Sequence, residues 1–172
     1  MVTAWYSSTL GDILLGDQAN ALAGLWFVGQ VHFPTLPDAE MGTTATLELT
    51  KKWLDLYFSG EIPPFLPPLF LEGTPFQKQV WMALAGIPYG QVLSYGALAQ
   101  RLDVGSAQAV GSAVARNPIS LILPCHRVVG SKGQLTGYAG GLERKAWLLD
   151  LERSTLHNSG FKLQPSHPPA GV

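Results

Sequence analysis

The chain has 172 residues, of which 47% are hydrophobic and 13% charged, a composition typical of a folded globular protein rather than a disordered one. No apolar run approaches the roughly 20 residues of a membrane-spanning helix, and the first residues lack the basic and apolar regions of a secretory signal. One cysteine cannot form an internal disulfide or a multi-cysteine zinc site. We therefore expect a cytoplasmic protein with no membrane association, no metal and no cofactor.

The net charge of −1 is unevenly distributed along the chain. Residues 1–72 carry eight acidic residues and two lysines, a net charge of −6. Residues 73–153 carry eight basic and four acidic residues, a net charge of +4. Ordinary scatter of charge is one explanation. The other, which we favour, is that the C-terminal half contacts a polyanion.

The first 60 residues predict an α/β domain. Trp5–Ser8 and Ile13–Leu15 flank a turn in the manner of a hairpin, and residues 21–30 are typical of another strand. Thr44–Phe58 predicts a helix, because its apolar residues recur at helical spacing and a glycine follows. Residues 61–72 contain four prolines. They predict a stiff linker and a domain boundary.

Residues 73–153 predict a second, mostly α-helical domain. Thr74-Pro75-Phe76-Gln77 combines a capping threonine, a proline at the first helical position and a glutamine at the third, which indicates a helix start. Ser94 and Ser106 are placed to cap two further short helices around a glycine-containing turn. Such a pair is typical of a helix-turn-helix.

The C-terminal end of the chain predicts one more helix and a tail. The helix is expected over about residues 142–151, and Glu152 lies at its end. Residues 154–172, which contain three prolines, are expected to be a poorly ordered tail.

The helix after Ser106 consists almost entirely of small residues, Ala107–Ala115, and Asn117-Pro118 ends it. A helix with so little side-chain bulk can bring its backbone close to another surface. Tight packing inside the protein is the alternative interpretation. The basic half of the chain and the neighbouring turn favour a helix that faces DNA.

The stretch Leu121–Gly130 places Cys125 and His126 between apolar runs, which predicts a buried strand or extended core segment. A lone cysteine is most often a small buried hydrophobe, and a histidine beside it a core residue. The alternative is a thiol nucleophile with an imidazole that takes its proton. Pro124, the upstream Asn117-Pro118 and the glycine-rich loop at 137–141 favour this second interpretation.

Residues 73–153 carry a series of short motifs: Gly73-Thr74-Pro75-Phe76-Gln77, Ile87-Pro88-Tyr89-Gly90, Ser94-Tyr95-Gly96, Ala109-Val110-Gly111, Asn117-Pro118, Pro124-Cys125-His126-Arg127-Val128, Gly137-Tyr138-Ala139-Gly140-Gly141, and Lys145, Trp147-Leu148-Leu149 and Glu152. In combination these motifs resemble the O6-alkylguanine-DNA alkyltransferases, also called methylated-DNA–protein-cysteine methyltransferases. The N-terminal half resembles the variable domain of that family more weakly, through Ser8-Thr9-Leu10-Gly11. The resemblance implies an RNase-H-like α/β domain followed by a winged-helix-like helix-turn-helix domain.

The resemblance implies DNA repair by single-turnover transfer of an alkyl group from guanine O6, with O4-alkylthymine as a further candidate substrate. It implies five catalytic residues: the acceptor Cys125, His126 acting as base through a bridging water, Glu152 holding the imidazole, Asn117 bracing the turn before the cysteine, and Tyr95 protonating the guanine ring. It implies a base pocket formed by Val128, Tyr138, Ala139 and Val114.

The resemblance also implies that the small-residue helix enters the minor groove of double-stranded DNA containing O6-alkylguanine, and that the damaged base is flipped out. The implied DNA contacts are Gln108, Ser106, Ala107, Arg116 and Ser94. Many members of the family carry an arginine where this chain has Gln108, and that side chain fills the gap left by the flipped base. Glutamine can still hydrogen-bond to the orphaned cytosine, but it brings no charge. We expect the protein to act as a monomer.

Two other classes of function are considered. Alkyltransferase-like proteins bind the same lesions without transfer, but they carry another residue, commonly tryptophan, where Cys125 stands. A cysteine hydrolase would need an oxyanion hole, for which the sequence has no evident motif, and adjacent cysteine and histidine are not its usual arrangement.

Overall fold

The structure, a computed structural model, describes residues 1–158, which form two compact units. The first unit comprises Met1–Glu72 together with Pro118–Ile122, and the second comprises Gly73–Asn117 and the described residues from Leu123 to Asn158. Sequence analysis placed residues 118–122 in the C-terminal domain. They make their contacts in the first unit instead, because they pair with one of its strands.

The first unit contains a mixed four-stranded sheet. Strands β1 (Val2–Ser8), β2 (Gly11–Gln18) and β3 (Ala21–Phe27) form an antiparallel meander, and β4 (Glu40–Met41) pairs in parallel with β1. The resulting strand order is β3-β2-β1-β4. The predicted hairpin and the predicted third strand are therefore confirmed.

Helix α1 (Ala45–Phe58) contacts the strands β1, β2 and β3. Its N-terminus is capped by Thr44, whose hydroxyl accepts a hydrogen bond from the backbone N–H of Leu47 and donates one to the buried carboxylate of Asp17. Gly60 follows the helix with a φ of 82°, a conformation that glycine adopts without strain. The predicted helix over residues 44–58 is confirmed.

The outer edge of β3 is hydrogen-bonded to two irregular segments of the chain. The backbone N–H of Leu22 donates to the carbonyl of Pro68 at 2.7 Å, and that of Leu25 donates to the carbonyl of Pro118 at 2.9 Å. The proline-rich stretch that we predicted to be a stiff linker is thus attached to the sheet through its last residues. These contacts also cover an edge that would otherwise expose unpaired backbone groups.

The second unit is mainly helical, with α2 (Pro75–Leu84), α3 (Tyr95–Arg101), α4 (Ala107–Ala115), α5 (Leu142–Asn158), and the short parallel strands β5 (Leu93–Ser94) and β6 (Val128–Val129). Thr74 and Gln77 form the predicted capping box of α2, and Ser94 and Ser106 cap α3 and α4 as predicted. The described residues therefore form a mixed sheet, a short two-stranded pair and five α-helices.

Helix α5 is longer than predicted. It continues through Asn158, so residues 154–158, which we placed in a poorly ordered tail, are helical. The remainder of the predicted tail, residues 159–172, lies outside the described residues. None of the helices formed by residues 1–158 is long and apolar enough to cross a membrane.

Candidate active site

Cys125 lies on a tight turn and not in a strand. Cys125–Arg127 form one turn of 3₁₀ helix, and only Val128–Val129 after it are extended, as β6. Pro124 has φ of −78° and ψ of 68°, and the backbone N–H of Cys125 donates to the carbonyl of Leu123 at 2.7 Å. This proline-centred turn interrupts the predicted strand. The prediction that the stretch is buried is confirmed, since Cys125 is 4% exposed.

Asn117 connects the end of α4 to this turn. Its side-chain amide nitrogen is buried and donates to the carbonyl of Leu123 at 2.7 Å. That carbonyl also accepts the hydrogen bond from the N–H of Cys125, so it is held from two sides. The contact fixes the backbone two residues before the cysteine.

His126 and Glu152 form a fully buried pair. Nε2 of His126 lies 3.1 Å from Oε2 of Glu152, and neither side chain is exposed. The 3₁₀ turn supplies the histidine, and the buried face of α5 supplies the carboxylate. The sequence predicted this pairing only through the family resemblance.

Arg127 completes the cluster, and the sequence analysis did not single it out. Its Nε donates to Oε1 of Glu152 at 2.7 Å, its Nη2 donates to the same oxygen, and its Nη1 donates to the carbonyl of Ile87 at 2.7 Å. The guanidinium also lies over the ring of Tyr89, 5.4 Å from the centroid. The available signal was a basic residue inside an otherwise apolar run, since such a residue is buried only with a partner.

The electrostatics of this cluster favour a neutral imidazole beside a charged carboxylate. Burial lowers the pKa of His126, and the positive charges of Arg127 and Lys145 act in the same direction, against the opposing effect of Glu152. Burial alone would raise the pKa of Glu152, but its hydrogen bonds and charge interactions with His126 and Arg127 hold that pKa below the ordinary value. A neutral imidazole at neutral pH is able to accept a proton.

Lys145 is a second buried basic residue that the sequence analysis quoted without assigning a role. Its Nζ donates to the carbonyls of Val128, Thr136 and Gly137, the last two at 3.1 and 3.0 Å. Burial lowers the pKa of Lys145 to about 8, although the Cys125 thiolate acts in the opposite direction.

Tyr95, at the start of α3, lies in the same region. Its hydroxyl donates to the carbonyl of Thr136 at 3.2 Å, and its ring lies 5.9 Å from Nζ of Lys145. Burial and the negative charge of Cys125 both raise the pKa of Tyr95, which keeps the phenol protonated. The predicted proton donor therefore lies within the electrostatic reach of the cysteine.

The predicted pocket residues differ in exposure. Val128 and Val114 are buried, whereas Tyr138 and Ala139 are half-buried in the loop that follows β6. Val114 lies on the buried face of α4, where the indole of Trp81 donates to the carbonyl of Ala113 at 2.8 Å. Its side chain therefore belongs to the packing beneath α4.

The predicted DNA contacts lie mostly on the open face of α4. Ser106, Ala107, Gln108 and Arg116 are exposed, while Val110 and Ala113 face the interior. Ser94 differs, because it is buried and its hydroxyl accepts the backbone N–H of Ala97 as the cap of α3. The structure thus places four of these five residues on a surface.

No group of three or more His, Cys, Asp or Glu side chains within residues 1–158 is arranged to hold a metal ion. The fold and the site together define a class of protein. In this class a helical unit presents an exposed helix of small residues and contains a buried cysteine next to a histidine with a neutral imidazole.

Comparison with known proteins identifies the family within that class. Residues 75–154 match the family described as 6-O-methylguanine DNA methyltransferase, DNA binding domain. The chain is 44% identical over 151 residues to the methylated-DNA–protein-cysteine methyltransferase of Mycobacterium leprae, covering 85% of this chain and 88% of the relative. It is 41% identical over 155 residues to that of Methanosarcina acetivorans, covering 90% and 99%.

The fold agrees with that of a solved relative. The structure matches the Mycobacterium tuberculosis OGT in complex with DNA with a TM-score of 0.84 and 39% identity, covering 90% of this chain and 94% of the other. The chain belongs to the methylated-DNA–protein-cysteine methyltransferase family.

Proposed function

We propose that this protein repairs DNA by moving the alkyl group of O6-alkylguanine to Cys125 in a single turnover. The observation that carries the proposal is the buried cysteine on a fixed turn, next to a histidine that burial keeps neutral and Glu152 orients. Relatives at 44% and 41% identity that carry the name of this activity support it.

The reaction begins with proton transfer from the thiol of Cys125 to His126, through a bridging water. The thiolate sulfur then attacks the alkyl carbon, and the bond between that carbon and guanine O6 breaks. Tyr95 gives a proton to the guanine ring as the electron pair of the broken bond moves into the base. Tyr95 is protonated when the base arrives, since burial raises its pKa above the ordinary value of a phenol.

Glu152 stabilises the imidazolium that forms on His126. Arg127 keeps the carboxylate ionised and holds it in place by two donors on one oxygen. The thioether on Cys125 offers water no good leaving group, so each molecule reacts once.

Binding to double-stranded DNA would place the open face of α4 in the minor groove. That groove is only about 6 Å wide, which suits a helix surface made of Ala, Ser and Gly. A duplex base cannot reach a cysteine that is 4% exposed, so the damaged base must leave the stack and enter beside Val128, Tyr138 and Ala139. Gln108, exposed on this face, would fill the gap.

We further propose that the first unit is RNase-H-like, that α3 and α4 form a winged-helix-like helix-turn-helix, and that the protein acts as a cytoplasmic monomer. The mixed sheet of the first unit and the two short capped helices of the second support the two fold assignments.

The test is incubation of the protein with a duplex oligonucleotide that carries labelled O6-methylguanine. Label that remains on the protein after denaturation, up to one per molecule, supports alkyl transfer. A tight complex without label on the protein would indicate a lesion-binding protein, and neither label nor complex would favour a different cysteine chemistry. An unmodified duplex serves as the control.

A further inference from the structure

Lys145 is fully buried although its charge has no acidic partner in the described structure. Its Nζ forms no ion pair with a carboxylate of residues 1–158. A buried ammonium is costly unless it is hydrogen-bonded and its charge is compensated. The buried ammonium of Lys145 therefore needs both hydrogen-bond acceptors and a negative charge nearby.

The hydrogen bonds require the charged form. The three acceptors are the backbone carbonyls of Val128, Thr136 and Gly137, and an ammonium has three N–H donors, one for each. A neutral amine has only two. Protonated Lys145 thus fastens residues 136–137 to strand β6, and these residues lead directly into Tyr138 and Ala139 of the proposed base pocket.

The group placed to compensate the charge is Cys125, once its thiol has lost its proton. Among the described residues of the second unit, Glu152 has a buried carboxylate, but that carboxylate already binds Arg127 and His126. The Val128 carbonyl that binds Lys145 lies three residues after Cys125, and the ring centroid of Tyr95 lies 5.9 Å from Nζ of Lys145. Negative charge on Cys125 raises the pKa of both Lys145 and Tyr95. The positive charge of Lys145 also lowers the pKa of His126, which lies on the same turn as Cys125. Within residues 1–158, the Cys125 sulfur is the group whose negative charge acts on the pKa of Lys145.

We propose that Lys145 is a positioning residue for alkyl transfer, with two effects of one ammonium. It holds the 136–137 segment that forms the wall of the base pocket, and it is the counter-charge that stabilises the Cys125 thiolate. The inference rests on the proposed function, to which it adds the positive charge that stabilises the thiolate. His126 takes the proton, and Lys145 stabilises the sulfur anion that remains.

The first test titrates the thiolate. Because Cys125 is the only cysteine of the chain, the ultraviolet absorbance of a thiolate, measured against Cys125→Ser as baseline, reports this residue alone. We expect Lys145→Met to move the titration midpoint upward by about one pH unit or more, which is about tenfold less thiolate below the midpoint. Lys145→Arg should restore part of the shift. Lys132→Met, which removes an exposed lysine, is the matched control and should change nothing.

The second test keeps Lys145 and the fold intact. Nuclear magnetic resonance of isotope-labelled lysine follows the titration of Nζ in the wild type and in Cys125→Ser. Since coupling between two sites is reciprocal, removal of the thiolate should move the midpoint of Lys145 downward. Equal midpoints in the two proteins would overturn the proposal, even if Lys145→Met failed to fold.

A purely structural lysine would behave differently in both tests. In that case the thiolate midpoint in Lys145→Met and the lysine midpoint in Cys125→Ser would both equal those of the wild type. Lys145→Met would then differ from the wild type only in its lower stability. Failure of the proposed function is distinguishable as well. In that case the wild type would take no label from methylated DNA, whereas neither titration involves DNA.

Discussion

The two units bury polar side chains of different kinds. In the first unit the buried polar residues are hydroxyls and amides with a single carboxylate: Thr3, Asp17, Gln30, Thr46, Thr50 and Ser120. In the second unit four buried residues besides Cys125 are ionisable: His126, Arg127, Lys145 and Glu152. All four lie on the turn that carries Cys125 or on α5.

The buried polar groups of the first unit complete the fold, whereas we propose that those of the second unit act in the reaction of Cys125. The hydroxyls of the first unit cap a helix or satisfy backbone carbonyls, as Thr46 does for Asn20. A buried ion pair contributes little stability relative to apolar residues of the same size. Stability therefore does not explain why these ionisable side chains lie near Cys125, and we attribute their position to the proposed reaction.

The largest effect on stability is expected from Arg127→Met. This change leaves the carboxylate of Glu152 buried with His126 as its remaining partner, and breaking a buried pair costs about 3–5 kcal/mol. Denaturant unfolding measures the loss. Arg153→Met is the control, because its pair with Asp150 is exposed and should contribute little. Similar losses in the two variants would contradict the account.

Glu152→Gln should slow alkyl transfer by about a hundredfold, the lower range for loss of assisted proton transfer. An amide cannot stabilise the imidazolium that forms on His126. The measurement is the single-turnover rate at saturating methylated DNA, with DNA affinity determined separately. An unchanged rate would reduce Glu152 to a structural role.

The pH dependence of the wild-type reaction should reflect the lowered pKa of His126. Because burial holds that pKa below 6.5, the imidazole stays neutral down to below this pH, and the rate should begin to fall only there. The profile is best measured with free O6-alkylguanine, which removes the pH dependence of DNA binding. A fall that begins above pH 7 would show a raised pKa and contradict the electrostatics described above.

Gln108→Ala should produce a smaller and selective effect. If Gln108 fills the vacated stack, the rate on duplex DNA should fall several-fold, because extrusion costs a few kcal/mol and one contact supplies part of it. The rate with free base should not change. Ser112→Ala, on the same exposed face of α4, is the matched control. Equal losses on duplex and free base would exclude a role in extrusion.

The smallest effect on activity is expected in the first unit. Thr44→Ala removes the cap of α1 and the hydrogen bond to Asp17, and should lower the free energy of unfolding by about 1–2 kcal/mol. The transfer rate per folded molecule should remain that of the wild type. A changed rate would mean that this polar cluster also acts on the cysteine.

Local signals predicted much of the fold. The caps Thr74, Ser94 and Ser106 were predicted from the sequence because a cap bonds to a backbone group only three residues away. Thr44 was predicted only as the first residue of α1, and its capping role came from the structure. The end of α5 was predicted too early, since the charged and polar residues after Glu152 resemble a tail although they contain no helix breaker.

The site could be predicted only in part, because its geometry depends on distant contacts. The turn at Cys125 is held by Asn117 and Pro124, and the apolar run around it resembled a strand. Arg127 and Lys145 bind groups up to 40 residues away, namely Ile87 and the 136–137 segment. Periodicity contains no information about such partners, whereas the family motifs located the cysteine, the histidine and the glutamate.

Mass spectrometry tests whether Cys125 is the residue that accepts the alkyl group. The protein is incubated with excess duplex containing O6-methylguanine, its intact mass is measured, and the modified peptide is sequenced. We expect one added methyl group per molecule, located on Cys125, and none in Cys125→Ser, which should still bind DNA. A methyl group on His126 or any other residue, or repeated turnover without modification of the protein, would contradict it.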